Sequence, residues 1–516
     1  MPSYLMAVDG GTGSVRAVLF DLEGKQVALS QREWEHAEDP RYPGSMDFDV
    51  EKNWRLTVET IREILSGVKP VDILAVSATS MREGFVLYDK GGKEIWACAN
   101  VDARAKKEVG MLKEIRPRLE EDIYAFSGQA FALGALPRLY WIKNNEPRLY
   151  EQAATITMLN DWLVYKLSGV LTAEPSNGST TGIFDIKKRK WHEDICRMCG
   201  IRDDIFPTIS EPCTVVGTVS PEASRETGLS EKTLVVTGGG DAQLGAVGAG
   251  VVKDKQAAVF GGSFWQLEYN TKNPVMDEQC RIRINCHALP DMWQYEAIAF
   301  FPGLIMRWYR DAFCLHASPG KDKSAIYDEM SERASKIPAG SHGMMCAFSD
   351  VMNYVSWKHA APTFTNFAFD PDKFNVYTFY RAIMENAAIV TRGHLDLIKA
   401  LTGDTPGEIL FANGASKSPL WCQILADVLQ TSILVPEVKE STALGAAICA
   451  GVGAGVYKDI EQACSALVRM EASYMPLDAN RDIYDALYHK WREMYQAQLK
   501  LADRGVTGHM WTAPGL

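Results

Sequence analysis

The sequence predicts an α/β protein built as two similar halves around a central cleft. Three observations predict it. Tyr4-Leu5-Met6-Ala7-Val8 runs into Asp9-Gly10-Gly11-Thr12-Gly13-Ser14 and returns as Arg16-Ala17-Val18-Leu19-Phe20-Asp21, which reads as strand, glycine-rich turn and strand. Far along the chain, Ala257-Ala258-Val259-Phe260-Gly261-Gly262-Ser263-Phe264-Trp265 repeats the same order of pieces. Finally, 516 residues exceed what one hydrophobic core organises.

The elements follow in order. Strands are expected at residues 4–9, 15–21 and 26–33, a meander whose second turn is Glu23-Gly24-Lys25. At the first turn three glycines free the backbone for positive φ and let N–H groups approach an anion, with Thr12 and Ser14 as hydroxyl donors. No G-x-x-x-x-G-K-[ST] occurs and a strand follows the turn, so this is not a P-loop; an ordinary glycine hairpin is the alternative for this segment alone. Trp54, Leu56, Val58, Ile61 and Leu65 keep a helical period. Residues 72–77 read as a buried strand with Met81-Arg82-Glu83 just beyond its end, and 85–88 with 95–98 as a hairpin. A second cycle begins near residue 233, where Leu234-Val235-Val236-Thr237 ends in Gly238-Gly239-Gly240-Asp241. Residues 408–430 give a strand, Asn413-Gly414-Ala415 and a helix with Ser418 at the N-cap and Pro419 at its first position. The boundary is placed near residue 245, giving halves 1–245 and 246–516.

The net charge of −11 and the absence of a basic stripe exclude nucleic acid as a partner class. The start has no basic region with a cleavage site, and no apolar run is long enough for a spanning helix, so no membrane partner and a cytoplasmic location are expected. Eleven cysteines in apolar contexts read as reduced thiols, mostly buried; Cys196-x-x-Cys199 lacks a second pair and is not read as a zinc site.

A polar, glycine-lined cleft with a carboxylate from each cycle points to phosphoryl transfer, which needs positioning, charge neutralisation and a base for the acceptor hydroxyl. Asp9 is the magnesium-side acid. Asp241, at a strand end after three glycines, is the base. Arg16 reads either as a phosphate contact or as a surface ion pair.

These segments resemble the FGGY carbohydrate kinases, which share the duplicated ribonuclease-H-like ATPase fold of actin, hexokinase and the Hsp70 chaperones. Asp9-Gly10-Gly11-Thr12-Gly13-Ser14-Val15-Arg16 resembles the family's first phosphate motif, and Gly44-Ser45-Met46-Asp47-Phe48-Asp49 with Trp54 its early acidic motif. Gly239-Gly240-Asp241 resembles the catalytic segment. Gly414-Ala415-Ser416 through Trp421, Gln423, Ala426 and Asp427 resembles the adenosine signature, and Glu437-Val438-Lys439-Glu440-Ser441-Thr442-Ala443-Leu444-Gly445-Ala446-Ala447 closes the set. Within the family, Ser80-Met81-Arg82-Glu83-Gly84, Ala99-Asn100-Val101-Asp102-Ala103-Arg104, Arg307-Trp308-Tyr309-Arg310-Asp311-Ala312-Phe313-Cys314 and Ala513-Pro514-Gly515-Leu516 are similar to the branch that acts on the signal autoinducer-2.

The resemblance implies ATP and Mg2+ as co-substrate and cofactor, with the terminal hydroxyl of linear 4,5-dihydroxy-2,3-pentanedione, the autoinducer-2 precursor, as acceptor. It implies Asp241 as catalytic base and substrate contact, and Asp9 with Asp241 on the metal side. Gly11, Thr12, Gly13, Ser14 and Arg16 would meet the phosphates from one side and Gly261, Gly262 and Ser263 from the other, while Gly414, Ala415 and Ser418 would meet the nucleoside. Arg82 and Glu83 are implied as a substrate pair, or alternatively as a structural ion pair. Asp102 and Arg104 are implied as substrate contacts or scaffold, and Trp265 as a ring against the substrate or plain core. A phosphotransferase-system regulator, HPr, is a partner implied by resemblance only. The chain departs from the family where many members carry threonine (Gly13, Gly262), where glycerol-specific members carry glutamine (Ala242), and at Phe131-Ala132-Leu133, which replaces a tyrosine-containing stretch. A pocket with fewer hydroxyl partners suits a dicarbonyl over a triol. The competing expectations are a kinase of xylulose, erythritol or glycerol, and an ATP-binding module without transferase activity.

Overall fold

The computed structural model describes residues 3–315, 320, 322–438 and 440–515; Lys439 and Leu516, both in quoted segments, lie outside the described residues. The first half opens on the expected meander, β1 (Tyr4–Gly10), β2 (Ser14–Asp21) and β3 (Gln26–Glu33). Helix α1 (Val50–Leu65) begins four residues before Trp54, because the Asp49 carboxylate accepts from Lys52 N and caps it. Strand β4 (Ile73–Ser80) runs three residues past the apolar stretch, since its polar end still pairs with β1, Ser80 lying opposite Gly10. Helix α2 (Leu159–Ser168) and the short helix α3 (Pro175–Gly178) precede β5 (Val215–Thr218) and β6 (Leu234–Gly240), and α4 (Asp241–Gly248) leaves the end of β6.

The second half repeats this plan with β7 (Ala257–Gly261), β8 (Trp265–Thr271), β9 (Arg283–Cys286) and β10 (Trp293–Ile298). Helices α5 (Pro302–Tyr309) and α6 (Val376–Thr402) follow, then β11 (Glu408–Ala412), α7 (Pro419–Leu429), β12 (Ser432–Pro436), α8 (Ser441–Gly453) and β13 (Met470–Tyr474). The sheet orders are β3-β2-β1-β4-β6-β5 and β9-β10-β8-β7-β11-β12-β13. In each, an antiparallel meander leads to two parallel neighbours (β4 and β6; β11 and β12) and an antiparallel edge strand. This is a duplicated α/β fold with β9 added at one edge. Ser418 caps α7 as expected, accepting from Trp421 N.

The halves interlock. Helix α8, from late in the chain, packs against β1, β4 and β6 of the first sheet and crosses α4. Leu5, Ala7, Val18, Phe20 and Val236 form one apolar cluster with Leu444, Ala447 and Ile448. The crossing is made at glycines: a Cβ on Gly248 would lie 1.8 Å from Ser441 O, and one on Gly445 1.9 Å from Leu244 O. Ten of the eleven cysteines are buried, as their apolar contexts predict. Among the described residues, no helix is long and apolar enough to cross a membrane.

Candidate active site

Asp241 stands where β6 gives way to α4, at the bottom of the cleft. The approach is tight: a Cβ on Gly238 would lie 1.9 Å from Ala78 O, so β6 and β4 meet backbone to backbone there. The Asp241 carboxylate accepts from Arg82 Nε at 3.2 Å and Ala242 N at 2.8 Å, yet 42% of its side chain stays open to the cleft. Burial raises its pKa, opposed by Arg82 and the Ala242 N–H and reinforced by Glu296 and Glu83. The raised value makes the ionised group a stronger proton acceptor.

Arg82 and Glu83 do not pair with each other. Arg82 reaches across to Glu296 on β10, and Arg283 on β9 donates to Glu83 Oε1 at 2.5 Å, to Glu296 Oε1 at 3.2 Å and to Gln129 Oε1 at 2.7 Å. Asn285 adds a bond to Glu296 at 3.2 Å. Glu83 has φ of 70°, a left-handed backbone that a glutamate seldom adopts, and its carbonyl is held by Arg138. Although burial favours the acid form, Arg82 and Arg283 hold Glu296 below the usual carboxylate range. Glu268, opposite Glu296 on β8, has no hydrogen-bond partner among the described residues, and burial with Glu296 beside it outweighs Arg82 and Arg283 and pushes its pKa well up.

Arg283, Glu296 and Glu268 were missed in the sequence, but strand parity carries the signal. Side chains alternate faces, so Gln266, Glu268 and Asn270 share one face of β8, and Gln294 and Glu296 the matching face of β10. Apart from half-buried Gln266 this face is buried yet polar, and such a face on paired strands is a mark of a site or of a contact between halves. The same parity corrects Trp265. With Leu267 and Tyr269 it lies on the opposite face, fully buried, its ring 5.0 Å from that of Trp421 and its Nε1 donating to Thr391 Oγ1 at 2.9 Å. It packs in the core of the second half. Asp102 and Arg104 are buried in an ion-paired frame: Arg104 pairs with Asp102 at 2.7 Å and with Asp47, lies against the rings of Trp96 and Trp141, and keeps 2% of its side chain exposed. Asp102 also accepts from Met46 N at 2.7 Å.

Near the first turn, Asp9 is buried and pairs with Arg16 at 3.1 Å; Arg16 also pairs with Glu440. Burial lifts the Asp9 pKa to about 6, with Arg16 opposing and Asp241 and Glu440 reinforcing, so Asp9 and Asp241, at neighbouring strand ends of the first sheet, sense one another. Thr12 and Gly13 are exposed, and Gly11 and Thr12 are pinned through their carbonyls by Trp34 Nε1 at 2.9 Å and His36 Nε2 at 2.7 Å. The glycines do not use positive φ as expected: none of Gly10, Gly11 and Gly13 does. Close approach is the constraint at Gly10, where a Cβ would lie 3.3 Å from Trp34 Cη2. Among the described residues there is no group of three or more His, Cys, Asp or Glu side chains that would hold a metal alone. A donor set of one or two carboxylates fits Mg2+, which takes its remaining ligands from phosphate oxygens and water.

A cavity of about 740 Å3 opens in the second half, and Gly261, Gly262, Ser263, Gly414, Ala415 and Ser418 all line it. Its roof is close-packed: a Cβ on Gly261 would lie 2.5 Å from Ala415 Cβ, and one on Gly303 1.9 Å from Gly262 O. Lys417 and two arginines also line it. Arg307 Nη2 lies 3.4 Å from Ser263 Oγ, and Arg310 pairs with Asp311 and rests over the Tyr327 ring. Both arginines lie in the segment 307–314, but only the fold shows that α5 and the turn after it carry them to this cavity.

Residues 4–248 match the model of the FGGY family of carbohydrate kinases, N-terminal domain, and residues 258–454 that of its C-terminal domain. Proteins named Autoinducer-2 kinase from Salmonella paratyphi A and Escherichia coli (strain K12) are each 48% identical over 518 residues, covering 99% of this chain and 98% of theirs. In structure, the chain is similar to xylulose kinase from Rhodospirillum rubrum (TM-score 0.85, 23% identity, 96% of this chain and 99% of that one). It is also similar to Plasmodium falciparum glycerol kinase with ADP (TM-score 0.83, 19% identity, 96% and 98%).

Proposed function

Because the chain belongs to the FGGY family of carbohydrate kinases, phosphotransferases with an alcohol group as acceptor, we propose that it transfers the γ-phosphoryl group of ATP to linear 4,5-dihydroxy-2,3-pentanedione, making phospho-autoinducer-2. The full-length relatives named above carry the choice of acceptor. In this reading residues 1–245 supply the acceptor site and first phosphate turn, and 246–516 the nucleoside cavity. HPr as a regulator rests on resemblance alone.

Asp241 takes the proton of the terminal hydroxyl as its oxygen bonds to the γ-phosphorus and the bond to the bridging oxygen of ADP breaks. Arg82, fixed by Glu296, keeps the carboxylate oriented and offers N–H donors to acceptor oxygens; the two carbonyl oxygens of the dione can only accept. Asp9 and Asp241 would hold Mg2+ through water and phosphate. When bound, the ion neutralises charge on the β- and γ-phosphates. Gly11, Thr12 and Gly13 meet the phosphates from one side, and Gly261, Gly262 and Ser263 from the other, with N–H groups that no longer side chain obstructs.

The deciding experiment is ADP release with magnesium in the presence of the dione, xylulose, erythritol or glycerol. Strong preference for the dione is expected. Preference for a polyol would retain the chemistry and overturn the acceptor, and absence of acceptor-dependent turnover would overturn the kinase reading for this chain. Arg307, exposed beside Ser263, is placed to meet a phosphate oxygen. Arg307→Ala should raise KM for ATP about tenfold with little change in KM for the acceptor, the scale of one charge-assisted hydrogen bond. An unchanged KM for ATP removes Arg307 from the nucleotide site.

A further inference from the structure

The proposed mechanism leaves a buried carboxyl group unused directly behind the catalytic loop. Glu174 precedes α3 and is fully buried. Its carboxylate accepts from Ser176 N at 2.7 Å, Asn177 N at 2.5 Å and the Ser176 hydroxyl at 2.8 Å. The Ser176 hydroxyl in turn accepts from Gly240 N at 2.9 Å, and Gly240 immediately precedes Asp241. A Cβ on Gly239 would lie 2.6 Å from Ser176 Oγ and 3.5 Å from Glu174 Oε2, so the loop backbone rests on this pair with no side chain between.

The loop needs such an outside hold. Gly238-Gly239-Gly240 has no side chain to anchor it, glycine backbones have the most freedom to lose, and the pairing of β6 with β4 slips between Val236 and Gly239. A serine hydroxyl alone rotates; one that donates to a fixed carboxylate presents its lone pair in one direction. Asn177 extends the grip to the other strand end. Its Nδ2 donates to Asn160 Oδ1 at 2.7 Å and lies 3.3 Å from the Oγ of Ser80, which is the last residue of β4 and stands opposite Gly240. One short turn of chain thus clamps both strand ends, that leading to Arg82 and that leading to Asp241.

We propose that Glu174, acting through the Ser176 hydroxyl, is a positioning residue for phosphoryl transfer, fixing the Gly239–Gly240 backbone so that Asp241 is aimed at the acceptor hydroxyl. This rests on the reading of Asp241 as the base. Steady-state kinetics and ATP affinity of Ser176→Ala, Glu174→Gln and Asp241→Asn test it, with folding checked by circular dichroism. Ser176→Ala removes the acceptor for Gly240 N–H. Glu174→Gln places an amide donor where the carboxylate had only accepted.

For both, kcat should fall about 10–100-fold, the scale of a displacement of roughly 1 Å in a catalytic group. KM for either substrate and ATP affinity should stay within about twofold, a split that simple loss of stability does not produce. If Asp241→Asn is inactive while both other folded variants keep kcat within about twofold of wild type, the positioning role is overturned and the base stands. A wild-type rate in Asp241→Asn overturns the base, and this proposal with it. Failure of both Ser176→Ala and Glu174→Gln to fold makes the role structural and likewise overturns it.

Discussion

Asp241→Asn is expected to lower ATP turnover with the acceptor by about 10²–10⁴-fold while leaving ATP binding nearly intact. The amide keeps an oxygen that can accept from Arg82 Nε, so the ion-paired frame around Arg82, Glu296 and Arg283 should persist and the loss should fall on kcat. The nucleoside cavity lies on the second half and none of its lining residues is Asp241, which is why affinity for ATP is the proper internal control. Calorimetric titration of ATP beside coupled measurement of ADP release checks both halves of the expectation. A near wild-type rate takes Asp241 out of the chemistry.

The largest effect on stability is expected at the α4–α8 crossing. Gly445→Ala gains helix propensity of up to about 1 kcal/mol, but its Cβ must displace the Leu244 carbonyl, and overpacking of backbone against backbone costs about 1–3 kcal/mol or more. The clash wins, because no flexible side chain is present to move aside. A net loss of about 2 kcal/mol is expected in urea unfolding, with Gly248→Ala behaving alike. Gly110→Ala is the control of opposite sign: Gly110 sits in the helix Lys106–Ile115 with nothing within 4 Å of its would-be Cβ, so it should gain about 0.5–1 kcal/mol. Equal behaviour of Gly445→Ala and Gly110→Ala would show that the crossing is not close-packed in solution.

Local signals in the chain place the opening meander, α1, β4, β6, the glycine turn between β7 and β8, β11 and α7. The meander is readable from its turns, and α7 from Ser418 and Pro419, since capping is a matter between near neighbours. What depends on distant pairing is not readable in the same way. Strand β4 reaches Ser80 because Gly10 and Gly240 lie on either side of it, a fact no window around Ser80 contains. The placing of Asp9, Asp241 and the two glycine turns at strand ends was legible because each combines a carboxylate or glycines with an apolar run. Arg283 and Glu296 were not, because their meaning lies in partners some 200 positions away, Glu83 and Arg82. Trp265 stayed open between substrate ring and core for want of parity: a strand that turns Glu268 toward the other half has to turn Trp265 away from it. Asp102 and Arg104 were ambiguous as residue types and were resolved only by the two tryptophans and Asp47 around the guanidinium.

The junction beside Asp241 is held by guanidinium–carboxylate bridges, Arg82 to Glu296 and Arg283 to Glu83, where an oily contact would have served equally well to bury area. Parting the lobes along this line wets ions rather than hydrocarbon. Heat capacity rises with newly wetted apolar surface and falls with polar surface, so opening here carries almost none of the positive increment that accompanies unfolding. An opening along this line would therefore be a shallower function of temperature than the parting of a hinge sealed by leucines.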